Sequence, residues 1–83
     1  MKVGTVTGSV WATKKSPVLT GQSLLRVQME NRELVAADLV GAGVQDRVIV
    51  AFGSAAKAAC DGLPIDAAII GILDETEEYP HVR

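Results

Sequence analysis

Hydrophobic and polar residues alternate along the first stretch of the chain. From Lys2 to Thr13, Val6, Val10 and Ala12 fall on one face, with Gly4 and Gly8 in the same register. Thr5, Thr7, Ser9 and Thr13 fall on the other face, joined by Val3 and Trp11. A period of two in a segment rich in Val and Thr predicts a long β-strand with one apolar face. The two glycines inside it mark bends or close backbone approach, as a strongly coiled barrel strand requires. Lys14 to Gln22 reads as a loop, with turn signals at Ser16-Pro17 and Thr20-Gly21. Leu25, Val27 and Met29 then alternate with Arg26, Gln28 and Glu30, the cleanest period-two segment in the chain. Asn31-Arg32 reads as a tight turn into Leu34, Val35, Ala36 and Ala37, making a β-hairpin that Asp38 closes.

Gly41-Ala42-Gly43 follows as a loop that needs either positive φ or close packing of backbone on backbone. Arg47 to Phe52 predicts a fourth strand, with Val48, Val50 and Phe52 on one face. Gly53-Ser54 breaks it. Ser54 is an N-cap residue ahead of Ala55-Ala56-Lys57-Ala58-Ala59, a run of strong helix formers. Asp61-Gly62 ends that helix, with Gly62 as a left-handed cap, and Pro64 prevents its resumption. A helix of about two turns needs tertiary packing, and its alanines suit close approach to a neighbour. Ala67 to Leu73 is a fifth strand, apolar on both faces and so expected to be buried on both. The order β-β-β-β-α-β with short strands predicts a mainly β fold: a small five-stranded OB-like β-barrel, closed because closure removes sheet edges, with one short α-helix between strands 4 and 5. Residues 1–75 form the single barrel domain and 76–83 a short C-terminal tail.

Composition adds a tension to this picture. A chain of 83 residues makes one domain, exposing roughly 12,600 Å² unfolded and roughly 4,700 Å² folded, so that it buries only about 60% of its surface alone. It has one cysteine, Cys60, and therefore no internal disulfide, yet 48% of its residues are hydrophobic, with only Trp11, Phe52 and Tyr79 aromatic. Surplus aliphatic surface on so small a chain implies burial against another copy. The net charge of −2 supplies no basic field for a phosphate backbone. No apolar run reaches the roughly 18 residues of a membrane span. The N-terminus is a strand pattern rather than a signal peptide, and with a lone cysteine this places the chain in a reducing cytosol.

Little in the sequence supports catalysis. His81 is the single histidine and lies in the tail. Cys60 sits late in an alanine-rich helix, where a packed, inert thiol is expected. Asp38, Asp46, Asp66 and Asp74 flank strands and read as turn acceptors or solvated strand ends, and Glu75, Glu77 and Glu78 as a solvated acidic run. No His/Cys cluster has metal-ligand spacing, so neither a catalytic set, a metal site nor a cofactor is expected. Gly41-Ala42-Gly43 lacks the third glycine and following helix of a dinucleotide fingerprint. Gly53 to Lys57 offers amides at a helix start but no Walker-type loop. An OB-like barrel raises oligonucleotide binding, but that needs stacking aromatics and a basic groove, which this chain lacks.

Read together, these segments resemble the EutN/CcmL family, the pentameric vertex proteins of bacterial microcompartment shells. The resemblance spans nearly the whole chain. It rests on the opening strand Met1 to Thr13, on Leu19-Thr20-Gly21 followed by Leu24 to Gln28, and on Val35-Ala36-Ala37-Asp38-Leu39-Val40-Gly41-Ala42-Gly43, the most specific block. Asp46 to Val50, Gly53-Ser54-Ala55-Ala56-Lys57 and Pro64 to Asp74 complete it in order and at the expected spacing. The family's Gly-Ser-Ser-Ala-Arg segment has Ala55 and Lys57 here, so a contact at position 57 is a point charge rather than a bidentate fork. Trp11 stands where a smaller aliphatic residue is expected, and the Glu30 to Glu33 hairpin is shorter than in relatives carrying an insertion.

The resemblance implies a cytoplasmic shell protein without catalysis, a homopentamer capping the fivefold vertices of an icosahedral shell beside hexameric shell proteins. It implies that Gly41, Ala42 and Gly43 lie at a subunit interface or near the central axis. It places Ser54, Ala55, Ala56 and Lys57 at a subunit edge or shell contact, with Lys57 facing the adjoining hexamer. Trp11 is expected to fill a subunit interface or the barrel wall. The competing readings are a small OB-fold module binding an oligonucleotide or ligand, and an orphan subunit of an enzyme complex.

Overall fold

The computed structural model describes residues 1–12 and 14–74. Five strands form the barrel: β1 over Lys2–Ser9, β2 over Leu24–Gln28, β3 over Glu33–Asp38, β4 over Arg47–Phe52 and β5 over Ala67–Ile72. A 3-10 turn over Pro17–Leu19 interrupts the β1–β2 connection, and one helix, α1 over Gly53–Ala59, joins β4 to β5. The strands close in the order β1-β2-β3-β5-β4. Neighbours are antiparallel except β3 and β5, which run parallel through Ala37↔Ala68 and Asp38↔Ile69. The expected fold class, with its helix between strands 4 and 5, is the observed one.

The barrel interior is aliphatic. Val6, Leu25, Val27, Met29, Ala36, Val48, Val50, Ala67 and Ile69 form one buried cluster. A second cluster lies outside the barrel wall, where Ala56 and Cys60 pack on Ala37, Ala68 and Ile65. Ala36 faces the interior and Ala37 faces the helix, as do Ala67 and Ala68 respectively. This explains why β3 and the start of β5 read apolar on both faces. The paired alanines let the helix sit close against the parallel seam, and this packing supports seven helical residues that would not hold alone in water.

Several expectations need correction. β1 ends at Ser9, not Thr13, and Thr13 lies outside the described residues. The single apolar face predicted for that strand does not persist either. A bulge between Val6 and Gly8 leaves Val6 opposite Val27 but brings Gly8 opposite Arg26. The extra residue, Thr7, reverses the in–out phase, so Gly8 joins the outer face. The hairpin turn is one residue earlier than predicted: Met29 N–H donates to the Arg32 carbonyl at 2.7 Å, leaving Glu30-Asn31 at its tip. Ser54 does not cap the helix, which starts at Gly53 with Phe52 as its N-cap and no side-chain cap bond. Gly62 does have positive φ (85°), but Asp61 precedes it at 50° and is the first left-handed residue. β5 ends at Ile72, and its second half is not buried on both faces: Ile70 and Ile72 are 38% and 45% exposed. A bulge at Ile70 shifts its register there. The expected tail, residues 76–83, lies outside the described residues.

Candidate assembly surface

The loop between β3 and β4 is shaped by two carboxylates. Asp38 Oδ1 accepts from the amides of Val40 and Gly41, each at 3.1 Å, and Oδ2 accepts from the amide of Ala42 at 3.0 Å. Asp46 Oδ2 accepts from Gly43 N–H at 2.8 Å, while Asp46 N–H donates to the Gly43 carbonyl at 3.0 Å. Four consecutive amides are thus bound by the residues that end one strand and precede the next. Both aspartates are turn acceptors, as expected from their positions.

The three small residues of this loop are not equivalent. Gly41 needs its lack of a side chain, because its φ is +79°. Ala42 turns inward and packs against the barrel core. A Cβ on Gly43 would meet only Asp46 Oδ2, at 3.9 Å. The fold of one chain therefore gives no reason for glycine at position 43. The aliphatic residues around them face solvent: Leu39 and Val40 are each 41% exposed and Val44 56%. Their hydrophobicity was visible, but an apolar run beside a strand reads as core until the chain's path is known.

The helix start divides similarly. Ser54, Ala55 and Lys57 are exposed, whereas Ala56 is fully buried between helix and barrel. Ala56 therefore serves the packing of α1, and three of the four expected edge residues remain available to a partner. Trp11 is 92% exposed, which removes it from the barrel wall. It borders an open hollow of about 260 Å³ shared with Ser9, Lys15 and Gln22. The structure does not bring Trp11, the Gly41–Gly43 loop and the helix start into one site. They lie on three separate connections of the barrel.

Among the described residues, no group of three or more His, Cys, Asp or Glu side chains could hold a metal ion. Cys60 is a buried free thiol. No helix of the described residues is long and apolar enough to cross a membrane.

Comparison with known proteins covers most of the chain. The profile of the family described as "Ethanolamine utilisation protein EutN/carboxysome" matches residues 1–74. The carboxysome shell vertex protein CcmL of Thermosynechococcus vestitus is 43% identical over 83 residues, covering 89% of this chain and 84% of the relative. The solved ethanolamine utilization protein EutN from Escherichia coli is 34% identical, with a TM-score of 0.81 over 94% of this chain and 89% of its own. The GrpN pentameric microcompartment shell protein from Rhodospirillum rubrum is 38% identical, with a TM-score of 0.79 over 94% of this chain and 99% of its own.

Proposed function

The chain belongs to the EutN/CcmL family, and from that premise we propose that it is a structural vertex protein of a bacterial microcompartment shell. Five copies form a ring that occupies a fivefold vertex of the shell in the cytoplasm. The observation that carries this reading is the match of nearly the whole barrel to relatives that are shell vertex proteins, including a solved pentamer. The alternative of a small OB-fold binding module has no comparable support, since the described aromatics are scattered and the net charge is −2.

The function is geometric. A flat layer of hexamers encloses a volume only where fivefold defects introduce curvature. A ring closes when one surface of each subunit meets a different surface of the next and the rotation sums to a full turn. The surplus of aliphatic residues on a chain of 83 then has a destination, because a stable ring buries on the order of 800 Å² per partner at each interface. No catalytic residue is required.

Within this reading, Gly41, Ala42 and Gly43 belong to the segment that approaches a neighbouring subunit. Ser54, Ala55 and Lys57 lie at the outer edge, where Lys57 meets an adjoining hexameric shell protein. Trp11, exposed on the single chain, is covered by a neighbour. Native mass spectrometry tests the ring directly. A species of about five subunit masses is expected, and a monomer or dimer at every protein concentration would overturn the reading. Co-production with hexameric shell proteins tests the vertex role: closed shells should form with this protein and open or tubular layers without it.

A further inference from the structure

One seam of the barrel is short. β3 meets β5 through the pairs Ala37↔Ala68 and Asp38↔Ile69, while its other edge pairs with β2 from Glu33 to Ala37. The register fixes which backbone groups the short seam leaves over. Met29 N–H donates to the Arg32 carbonyl and Asp38 N–H to the Ser23 carbonyl, so the even-numbered residues of β3 turn their amides and carbonyls toward β2. Successive residues of a strand point these groups to opposite edges, so Glu33, Val35 and Ala37 turn theirs toward β5. Leu39, of the same parity, shows the direction: its N–H donates to the Ile69 carbonyl at 3.2 Å. Ala37 is held in the seam. Glu33 and Val35 have no strand partner on that edge among the described residues.

The seam opens because the chain entering β5 cannot continue it. Carried back, the parallel register would set Asp66 opposite Val35 and Pro64 opposite Glu33. Pro64 has no N–H to offer. Ile65 N–H is spent on the Leu63 carbonyl at 2.8 Å, and the Asp66 carbonyl accepts from Gly53 N–H at 3.0 Å. The chain therefore parts from β3 here. An open hollow of about 220 Å³ lies at this place, walled by Leu19, Leu24, Val35, Ala37 and Ile65 and bordered by Asp66. Unpaired backbone groups beside an aliphatic hollow are what a strand added from another molecule uses: backbone bonds for affinity and a pocket for alternate side chains.

We propose that this open edge of β3 binds an extended peptide of another protein, one that alternates aliphatic residues with lysine or arginine. The extended shape follows from the groups left over, which match a backbone in strand conformation. The charge follows from the residues beside them. Glu33 and Asp66 are both exposed at this edge, and no lysine or arginine is among the described residues lining the hollow. A second copy of the same edge would set carboxylate against carboxylate, and like charges on an edge oppose pairing. The residues after Asp74 include Glu75, Glu77 and Glu78, so the chain's own end carries the wrong charge as well. A polyanion is disfavoured on the same ground. A cationic strand gains both the backbone bonds and the two carboxylates. This ligand is independent of the vertex role and additional to the chain's assembly with itself.

The experiment uses the full chain in its assembled form and a synthetic probe, a capped nonapeptide alternating valine and lysine. Fluorescence anisotropy of the labelled probe reports binding, and amide hydrogen exchange locates it. In the protein alone the Val35 amide should exchange fast and the Leu34 and Ala36 amides slowly, since the latter two face β2. Saturating probe should slow Val35 by at least about tenfold and leave Leu34 and Ala36 unchanged. A probe N-methylated throughout, which has no backbone donors, should bind at least about tenfold more weakly. Asp66→Asn should keep the circular dichroism spectrum and weaken binding about two- to fivefold, an effect that shrinks as salt rises. A Val35 amide already slow in the protein alone would mean that the protein covers this edge itself, and would overturn the proposal. So would binding that leaves Val35 exchange unchanged, equal binding of a probe alternating valine and glutamate, or no binding at about millimolar probe.

Discussion

Gly4 lies directly against Met29 inside the barrel: a Cβ at position 4 would stand 2.6 Å from the Met29 sulfur and 2.6 Å from Val27 Cγ1. The Gln28 carbonyl oxygen is a further neighbour at 3.0 Å. Met29 can swing away, but Val27 is fully buried and the carbonyl is part of the β2 backbone. Gly4→Ala should therefore destabilise the barrel by about 1–3 kcal/mol, the usual cost of overpacking a close-packed core. Denaturant unfolding at fixed protein concentration checks this. A stability equal to the parent's would show that β1 and β2 can separate without cost.

Gly43 presents the opposite case. A methyl group there meets one carboxylate oxygen at 3.9 Å, ordinary contact distance, so a single chain has room for it. If the loop is pressed against a neighbouring subunit, the added volume is felt only in the ring. Gly43→Val should leave the circular dichroism spectrum unchanged and raise the concentration needed for half-assembly by about tenfold, equivalent to about 1.4 kcal/mol. Native mass spectrometry showing the parent's pentamer at the parent's midpoint would remove Gly43 from the interface.

Much of the barrel was legible in the residues. The pattern gives Arg47–Phe52 its observed ends, because alternation runs cleanly into Gly53. The second strand and its partner also emerged, since Leu25, Val27 and Met29 alternate against charged and polar residues. The pattern overextends the first strand, which ends at Ser9, because alternation reports which face a side chain would take, not whether a partner strand is present. Thr and Ser on either side of the Thr7 bulge look alike in the sequence, so the phase change there leaves no pattern. Ser54 is a good cap by type, yet the helix begins at Gly53, whose φ of +60° lets the chain turn directly out of β4. The exposed Leu39, Val40 and Val44 were least legible. An aliphatic residue is assigned to a core by default, and only the path of the loop shows that these three stand exposed among the described residues.

Gln45 is held at a φ of 81°, a left-handed backbone that costs a residue with a Cβ about 1–2 kcal/mol. Its amide donates to the Val6 carbonyl, so the conformation is tied to the last residue of β1 before the bulge. Gln45→Gly removes the steric penalty but gives the unfolded chain more freedom, worth about 0.5–1 kcal/mol in the other direction. A net gain of about 0.5–1 kcal/mol is expected, raising the melting temperature by roughly 2–6 °C for a domain of this size. The comparison must be made at equal protein concentration, because assembly also raises the melting temperature. A lower melting temperature would mean that the Gln45 side chain contributes to the ring more than its backbone strain costs.

Lys57 is exposed in the last turn of α1, where a cation also favours the negative end of the helix. Charge reversal there combines two effects that need separating. Loss of the helix-end interaction in so short a helix costs at most about 0.3–1 kcal/mol, and a melting curve of the isolated ring registers it. Contact with a neighbouring shell protein registers only in shells. Lys57→Glu should form the pentamer at the parent's midpoint, because the reading places Lys57 at the outer edge and not between subunits. When produced with hexameric shell proteins it should yield fewer closed shells, counted by electron microscopy, with the defect easing as ionic strength rises and screens the repulsion. Lys57→Gln, which removes the charge without reversing it, should fall between the two. Closed shells at the parent's frequency in both variants would move the shell contact away from this helix and toward another exposed side chain such as Trp11.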